Sequence, residues 1–384
     1  MKVGLIGVGR AGGAVVDTVA ATAAESRVDP VVASVAVDTD QDDLGSLSAV
    51  PAEHRHLIGQ VDVGGHGTDG DQDLAVEIAA DAQAELRSAV DAVPVSQADA
   101  VLIAAGLAGG TGGAIAPCIA ELLRDVVSQP LYGVGVLPSD AEEEAGEHAA
   151  RAMRSLRALR EVTADVLLAD LDRWRGTDAA VETAYDSLDA DLADALWALA
   201  AASETAGNGP TPERTLDASE IVNTLRGDGV ATIARAKNEL PIPEDQQGGG
   251  LVEAVRGLFT DTTPDVDDVT ATRLVTTTVR EALHSKAFVA GGTGGASRAA
   301  LVVDAPAPFL IREGIQEATG IVEDETGAVA VRAGDRPRPD ADHLGVTLLL
   351  SGLTALPRID DLEQRTREYL ENRDVDHDTD LSVE

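Results

Sequence analysis

Apolar residues recur along the chain in two alternating patterns. Short continuous runs at 2–6, 31–37, 101–105, 131–137 and 166–169 have the length of buried strands. Between them, apolar positions fall at helical spacing. Residues 74–93 read as one amphipathic helix, and Ile115, Ile119, Leu122, Leu123 and Val126 line one face of another. Leu188, Leu192, Leu196 and Leu199 mark a long helix from about 178 to 203. Alternation of this kind predicts an α/β fold with a parallel sheet covered on both faces. From residue 269 the order changes to a helix, then strands near 299–303, 329–332 and 345–351. A helix at 308–319 sits between the first two of these strands, and a closing helix at 359–372 follows the last. That pattern predicts a second, α+β domain.

Two of the early runs, and the apolar step Leu57-Ile58, lead into glycine loops. The first is Gly7-Val8-Gly9-Arg10-Ala11-Gly12, with Gly13 behind it and a helix expected from about Ala14. The second is Gly64-Gly65-His66-Gly67-Thr68-Asp69-Gly70, shortly after the apolar step Leu57-Ile58. The third runs Gly106-Leu107-Ala108-Gly109-Gly110-Thr111-Gly112-Gly113 and opens directly into a helix. A strand, a glycine loop and a helix start together hold an anion. Bare backbone lets N–H groups converge on phosphate oxygens, and the helix N-terminus adds partial positive charge. Thr111 either caps that helix or offers its hydroxyl to a phosphate. A plain glycine-rich turn between core elements is the alternative for any one loop. Parallel strands, however, bring all three loops to one sheet edge. Another Gly-Gly-Thr-Gly-Gly, at residues 291–295, has no helix after it and reads as a strand-to-strand turn.

Charge narrows the partners. The 384 residues include 67 acidic and 29 basic ones, a formal net charge of −38, and lysine occurs only at Lys2, Lys237 and Lys286. Such an excess is tolerated where molar salt screens charges within about 3 Å, so a high-salt cytosol is expected. It argues against nucleic acid and anionic membranes. Cys118 is the single cysteine, which excludes an intrachain disulfide and, on an apolar helix face, reads as packing. Arg10 and the glycines interrupt any signal-peptide core, and no run reaches membrane-spanning length. The seven histidines show no metal-ligand spacing, and no protein-held metal is expected.

With these elements placed, the chain resembles the tubulin/FtsZ superfamily, and within it the archaeal tubulin-like CetZ proteins. The resemblance is carried by the first loop, by Leu57-Ile58-Gly59-Gln60 with Gly65-His66-Gly67, and by the signature loop from Ala108 to Ala114. It continues through Asp170-Leu171-Asp172-Arg173-Trp174, Tyr185-Asp186 and Asp217-Ala218-Ser219-Glu220-Ile221-Val222-Asn223-Thr224-Leu225. Leu349-Leu350-Ser351-Gly352-Leu353-Thr354 and Pro357-Arg358-Ile359 extend it close to the end.

The resemblance implies a Rossmann-like GTP-binding domain (1–186), a long central helix and loop (187–216) and a second α+β domain (217–372), followed by an acidic disordered tail (373–384). It implies GTP or GDP with Mg²⁺ as ligands. It also implies self-association head to tail into filaments, with co-assembly with related proteins open. The implied nucleotide contacts are Gly9, Arg10, Ala11, Gly12 and Gly13; Gly67, Thr68, Asp69 and Gly70; and Ala108, Gly109, Gly110, Thr111, Gly112 and Gly113. Asp217 and Glu220 would enter the neighbouring subunit's site and polarise the attacking water there. The same Asp-x-x-Glu spacing also makes a helix capping box.

The chain departs from the family pattern at several positions. Ala108 and Ala114 carry methyls where the family signature has glycine, and Gly113 replaces its hydroxyl residue, removing one phosphate contact. Arg10 stands where relatives have glutamine or glycine, and either supports a phosphate or pairs with a nearby carboxylate. The family's guanine-binding asparagine aligns with Leu171, which cannot hydrogen-bond a base. Base reading then falls to Asp189, with Tyr185 stacking four residues before it. A ribose-binding acid is expected within 140–147, at Glu143. The leading expectation is a slow, polymer-activated GTPase of the cytoplasmic cytoskeleton, acting in cell shape. The alternative is a degenerate relative that keeps fold and interfaces but binds nucleotide weakly or not at all, acting as a structural or regulatory partner. An NAD-dependent oxidoreductase, suggested by Gly7, Gly9, Gly12 and Asp38, leaves the signature loop and the Asp217 stretch unexplained.

Overall fold

A computed structural model describes residues 1–140, 145–173, 181–204, 212–226, 229–240 and 266–380. The five early apolar runs form β1 (Val3–Val8), β2 (Val31–Asp38), β4 (Ala100–Gly106), β5 (Leu131–Leu137) and β6 (Asp165–Asp170), with β3 (Arg55–Leu57) short at the edge. All pair in parallel. β1, β5 and β6 are buried at every residue, as expected for parallel strands covered on both faces.

The helices follow the same logic. On one face, α1 (Gly9–Ala24) and α8 (Val181–Ala200) bury Val15, Val16, Val19, Leu188, Leu192 and Leu199 against the sheet. On the other lie α4 (Gln72–Asp81), α5 (Gln83–Asp91), α6 (Gly110–Arg124) and α7 (Ala145–Val162). Two one-turn helices, α2 (Gln41–Ser46) and α3 (Gln60–Val63), sit in the loops after β2 and β3. The helix expected over 74–93 is thus two helices. They break at Ala82, whose φ of −89° and ψ of 26° leave the helical region. α1 starts at Gly9 rather than near Ala14, so the first glycine loop is already helix.

The second half adds α9 (Ala218–Thr224), β7 (Gly229–Glu239), α10 (Asp268–Ser285), β8 (Arg298–Ala305), α11 (Arg312–Thr326), β9 (Ala330–Pro337), β10 (His343–Ser351) and α12 (Pro357–Asp380). The Gly291 to Gly295 loop joins a helix, α10, to β8, and is not a strand-to-strand turn. The closing helix runs past its expected end at Asn372 into the stretch expected to be a disordered tail. α10 and α11 cover one face of β7 to β10.

β7 had no counterpart in the apolar pattern. It is rich in alanine and carries Arg235 and Lys237, yet seven consecutive residues of it are buried. It pairs in parallel with β6 over Gly229 to Thr232 and antiparallel with β10 over Ala231 to Glu239. All ten strands described therefore form one sheet, in the order β3-β2-β1-β4-β5-β6-β7-β10-β8-β9. Arg235 can be buried because its charge is matched. It pairs with Asp194 of α8 and with Asp304 of β8 (3.1 Å), and it donates to the Thr347 hydroxyl. Asp304 also takes Arg338 at 3.1 Å. Burial alone would push the Asp304 carboxyl up; Arg235, Arg338 and Arg336 overcome that and hold it well below the usual carboxylate range.

Among the described residues, no helix is long and apolar enough to cross a membrane.

Candidate functional site

The three glycine loops meet. A cleft of about 920 Å³ opens at the C-terminal ends of the parallel strands, the edge where doubly wound sheets take ligands. Its walls include Gly9, Arg10 and Ala11; Gly67, Thr68, Asp69 and Gly70; and Ala108, Gly109, Gly110, Thr111 and Gly112. Several helices start there, α1, α4 and α6 among them. α4 is capped by Asp71, which accepts from Asp73 and Leu74 N–H. α1 and α6 have no side-chain cap and no acid in their first turns. Their first N–H groups are left for an anion.

Close approach explains the glycines. Gly9 has a φ of +68° and brings its backbone against Gly112, joining the first and third loops. A methyl on Gly12 would overlap the Ala104 carbonyl, so this residue lets α1 lie on β4 and does not line the cleft. Gly13 faces Leu47, also away from the cleft lining. A side chain at 113 would collide with Ser155 Oγ and Gln72 Nε2. Those two atoms bond each other at 2.9 Å, and Gln72 also reaches the Gly109 carbonyl at 3.2 Å. The space of the family's hydroxyl residue is thus filled by a bracket that holds the signature loop. Thr111 does not cap α6, since Gly109 is the N-cap; its hydroxyl pairs with Thr39 at 2.6 Å.

At the far wall, Tyr185 and Asp189 lie one turn apart on α8 and both line the cleft. Leu171 does not; it is 0% exposed, inside the core beside Leu188. Glu143 lies outside the described residues. Asp140, from the same acidic run, is turned to Arg358 and Arg365 instead. Glu147 lines the cleft and contacts Arg151 at 3.4 Å.

Arg151 was not singled out in the sequence. It lines the cleft, donates to the Gly70 carbonyl at 3.2 Å and leaves a buried Nε unpartnered. Its one sequence signal was the Glu147–Arg151 spacing on a helix. Arg10 is 70% exposed and 4.0 Å from Asp43, a loose pair that leaves its charge at the cleft mouth.

The cleft is acidic. Asp38, Asp40, Asp43, Asp69, Glu147, Asp186 and Asp189 face Arg10 and Arg151. Burial pushes Asp38 up to about 7, against two backbone N–H bonds. Burial and the nearby Asp186 push Asp189 up to about 7 as well. Beside the Arg151 Nε, the Thr68 hydroxyl (5% exposed) and Oδ1 of Asp189 (7% exposed) are buried in these walls with no partner among the described residues. Buried polar groups are normally satisfied, so both fit a polar ligand.

Asp217 and Glu220 are elsewhere. They form a complete capping box at the start of α9: Asp217 accepts Glu220 N–H at 2.8 Å and Glu220 accepts Asp217 N–H at 3.1 Å. α9 sits under the opposite sheet edge, where Tyr132, near the start of β5, reaches the Val222 carbonyl. α8 spans the distance between edges. Tyr185 is at the cleft, and the Ala200 carbonyl takes the Met1 amino group at 2.6 Å, beside the start of β1. Twenty residues of helix cover about 30 Å.

Residues 2–177 match the tubulin/FtsZ family GTPase domain, and residues 178–368 match the tubulin-like CetZ C-terminal domain. Tubulin-like protein CetZ5 of Haloferax volcanii is 37% identical over 373 residues, covering 97% of this chain and 93% of that protein. CetZ1 of the same organism is 36% identical over 372 residues, with the same coverage. Among solved structures, the GDP-bound monomer of Haloferax volcanii CetZ1 superposes with a TM-score of 0.82 at 33% identity, over 96% of this chain and 100% of that one. The GTPγS-bound protofilament of Haloferax volcanii CetZ2 gives 0.81 at 29% identity, over 97% and 100%.

Proposed function

The chain belongs to the tubulin-like CetZ family of the tubulin/FtsZ superfamily, and on that premise we propose that it binds GTP and GDP in the cleft, stacks head to tail, and hydrolyses GTP where two subunits meet. The observation that carries this reading is the separation of the two halves of the site. The phosphate-holding loops lie at one sheet edge and the Asp217–Glu220 pair at the other, the length of α8 away. One subunit cannot bring its own acids to its own cleft; a neighbour stacked in the same orientation can. The solved relatives with GDP, and with GTPγS in a protofilament, support both the ligand and the stacking. A role in cell shape and co-assembly with related proteins extend the same reading.

In this reading the helix starts of α1 and α6 hold phosphates, Arg151 and Arg10 supply positive charge, and Glu147 joins Glu143 as a candidate beside the ribose. Tyr185 stacks on the base, and Asp189 accepts from guanine N1–H and N2–H. Among the described residues no cluster of three His, Cys, Asp or Glu is placed to hold a metal. Mg²⁺ would ride on the phosphates, where it offsets charge.

The test is nucleotide titration in multimolar KCl, with Asp189 as probe. Only the ionised carboxylate accepts both guanine donors, and burial keeps Asp189 protonated up to about pH 7. Its contribution to GDP affinity should fall as pH drops through 7, by at most tenfold per pH unit for one proton. Asp38 works in the opposite direction, since its protonation relieves repulsion of phosphate. The readout is therefore the difference between parent and Asp189→Ala, which removes the first slope and keeps the second. Asp189→Ala should also shrink the preference for GTP over ATP. An unchanged ratio and an unchanged pH profile would show that Asp189 does not read the base.

A further inference from the structure

The closing helix α12 follows β10 in the chain, yet it packs on α7, beside the cleft. Ile359 and Leu362 join the core that contains Met153 and Leu156 of α7, and Tyr369 lies against Gly146. Its first turn sends Arg358 inward, where it is 8% exposed. Nη1 donates to Asp140 at 2.6 Å and to Asp361 at 3.1 Å. Nη2 donates to the Pro138 carbonyl at 2.7 Å. Nε lies 3.3 Å from Asp170, and Asp172 is within 3.6 Å. Arg365 adds a second grip on Asp140 at 2.8 Å.

Pro138 is the residue after β5 and lines the cleft. Residues 138–140 are also tied to the end of β6, because Asp172 accepts from the Ser139 hydroxyl (2.5 Å) and from Asp140 N–H (2.9 Å). One guanidinium from near the end of the chain thus holds the exits of β5 and β6 together. The task needs a planar fork: Nη1 and Nη2 hold residues 138–140 while Nε faces Asp170 at the end of β6, which a single ammonium cannot do. The cluster is also electrically strained. Asp140, Asp170, Asp172 and Asp361 surround Arg358 and Arg365, and burial pushes Asp170 up to about 6 despite Arg358 beside it. A phosphate-bearing ligand in the adjoining cleft adds negative charge to that surrounding.

We propose that Arg358 is a positioning residue that fastens the β5 wall of the cleft to α12, so that nucleotide occupancy and the seating of the closing helix are coupled. This rests on the guanine-nucleotide reading of the cleft. Coupling is reciprocal: a ligand that favours the fastened wall must also favour the seated helix, by the same factor.

Amide hydrogen exchange on the full chain, with and without GDP, tests it. In the parent, GDP should slow exchange both at residues 106–113 and at residues 357–366. In Arg358→Lys, which keeps the charge and loses the fork, protection at 106–113 should persist while that at 357–366 disappears. GDP affinity should fall about tenfold in that variant. A purely structural Arg358 would lower the melting temperature of the ligand-free protein and leave GDP-linked protection of 357–366 in place, which overturns the proposal. If the variant does not fold, the parent alone decides: protection at 106–113 with no change at 357–366 also overturns it. No protection at 106–113 would instead refute nucleotide binding itself, and the coupling with it.

Discussion

Glu220→Gln is expected to leave GTP binding nearly intact and to slow hydrolysis by about ten- to ten-thousandfold, the range for losing a general base or water-orienting group. The amide keeps the size of the side chain and removes its charge. It also keeps an acceptor for Asp217 N–H, now 3.1 Å from Glu220 Oε2, so the start of α9 survives. That separates catalysis from capping, the two roles that the spacing alone left open. In the parent, turnover per subunit should rise with protein concentration, because the acids reach a cleft only across a contact. Filaments of the variant should persist longer, since interfaces holding GTP are not cleared. Turnover that is independent of concentration, down to levels where only monomer exists, would remove the shared site. Turnover absent at every concentration in a folded parent would leave capping as the whole role of the pair, and the degenerate-relative reading would take over.

The second large effect is on stability. Arg235→Leu should cost about 3–5 kcal/mol, the usual loss when one partner of a buried ion pair is removed. That is a large part of the 5–15 kcal/mol typical of a folded protein. The cost is not the value of the pair; it is the charge left behind on Asp304, which is fully buried. Asp304→Leu in the Arg235→Leu background should therefore recover part of the loss, a sign that the additive expectation fails between these neighbours. The pH dependence has a definite direction. The carboxyl of Asp304 is held below its ordinary value in the folded parent, so its contribution is present above about pH 4 and is lost as pH falls further. The gap between parent and Arg235→Leu, read by urea or thermal melting, should be widest near neutrality and narrow below pH 4. A gap that is small at neutrality would mean that Arg338, 3.1 Å away, suffices for Asp304.

The same residue shows where reading the sequence stops. Elements whose fate is decided locally were legible. A strand run, a glycine loop and a helix start are neighbours in the chain, and three of them led to one cleft. Tyr185 and Asp189 were legible because four residues of helix place them on one face. β7 was not, because a strand of alanines with a buried arginine has no apolar signature; its burial depends on Asp194 and Asp304, which are 41 and 69 residues away. Arg151 and Gln72 were missed for the same reason. Each gains its role from a loop brought near by the sheet. Conversely, Gly12, Gly13 and Gly113 were expected as ligand contacts; Gly12 and Gly113 serve tight packing, since glycine serves close approach of any kind, and Gly13 faces Leu47. Leu171 belongs to the core. The separation of Asp217 and Glu220 from the cleft is set by the length of α8, and pattern alone does not say which edge a loop faces.

The pairing of β6 with β7 changes what counts as a module here. The two family segments meet between residues 177 and 178, but the sheet does not divide there. A fragment ending at that boundary would carry β6 as a bare border, its apolar centre between Asp165 and Asp170 exposed, with Val166 and Leu168 stripped of the neighbour that pairs with them. Such a border is a template for association with any other strand. The two segments are therefore separable in descent and not in physics. The border strand of the first segment is covered by a strand of the second, and the second segment returns α12 to the surface of the first. Splitting, swapping or circularly permuting this chain would have to cut at loops far from that seam.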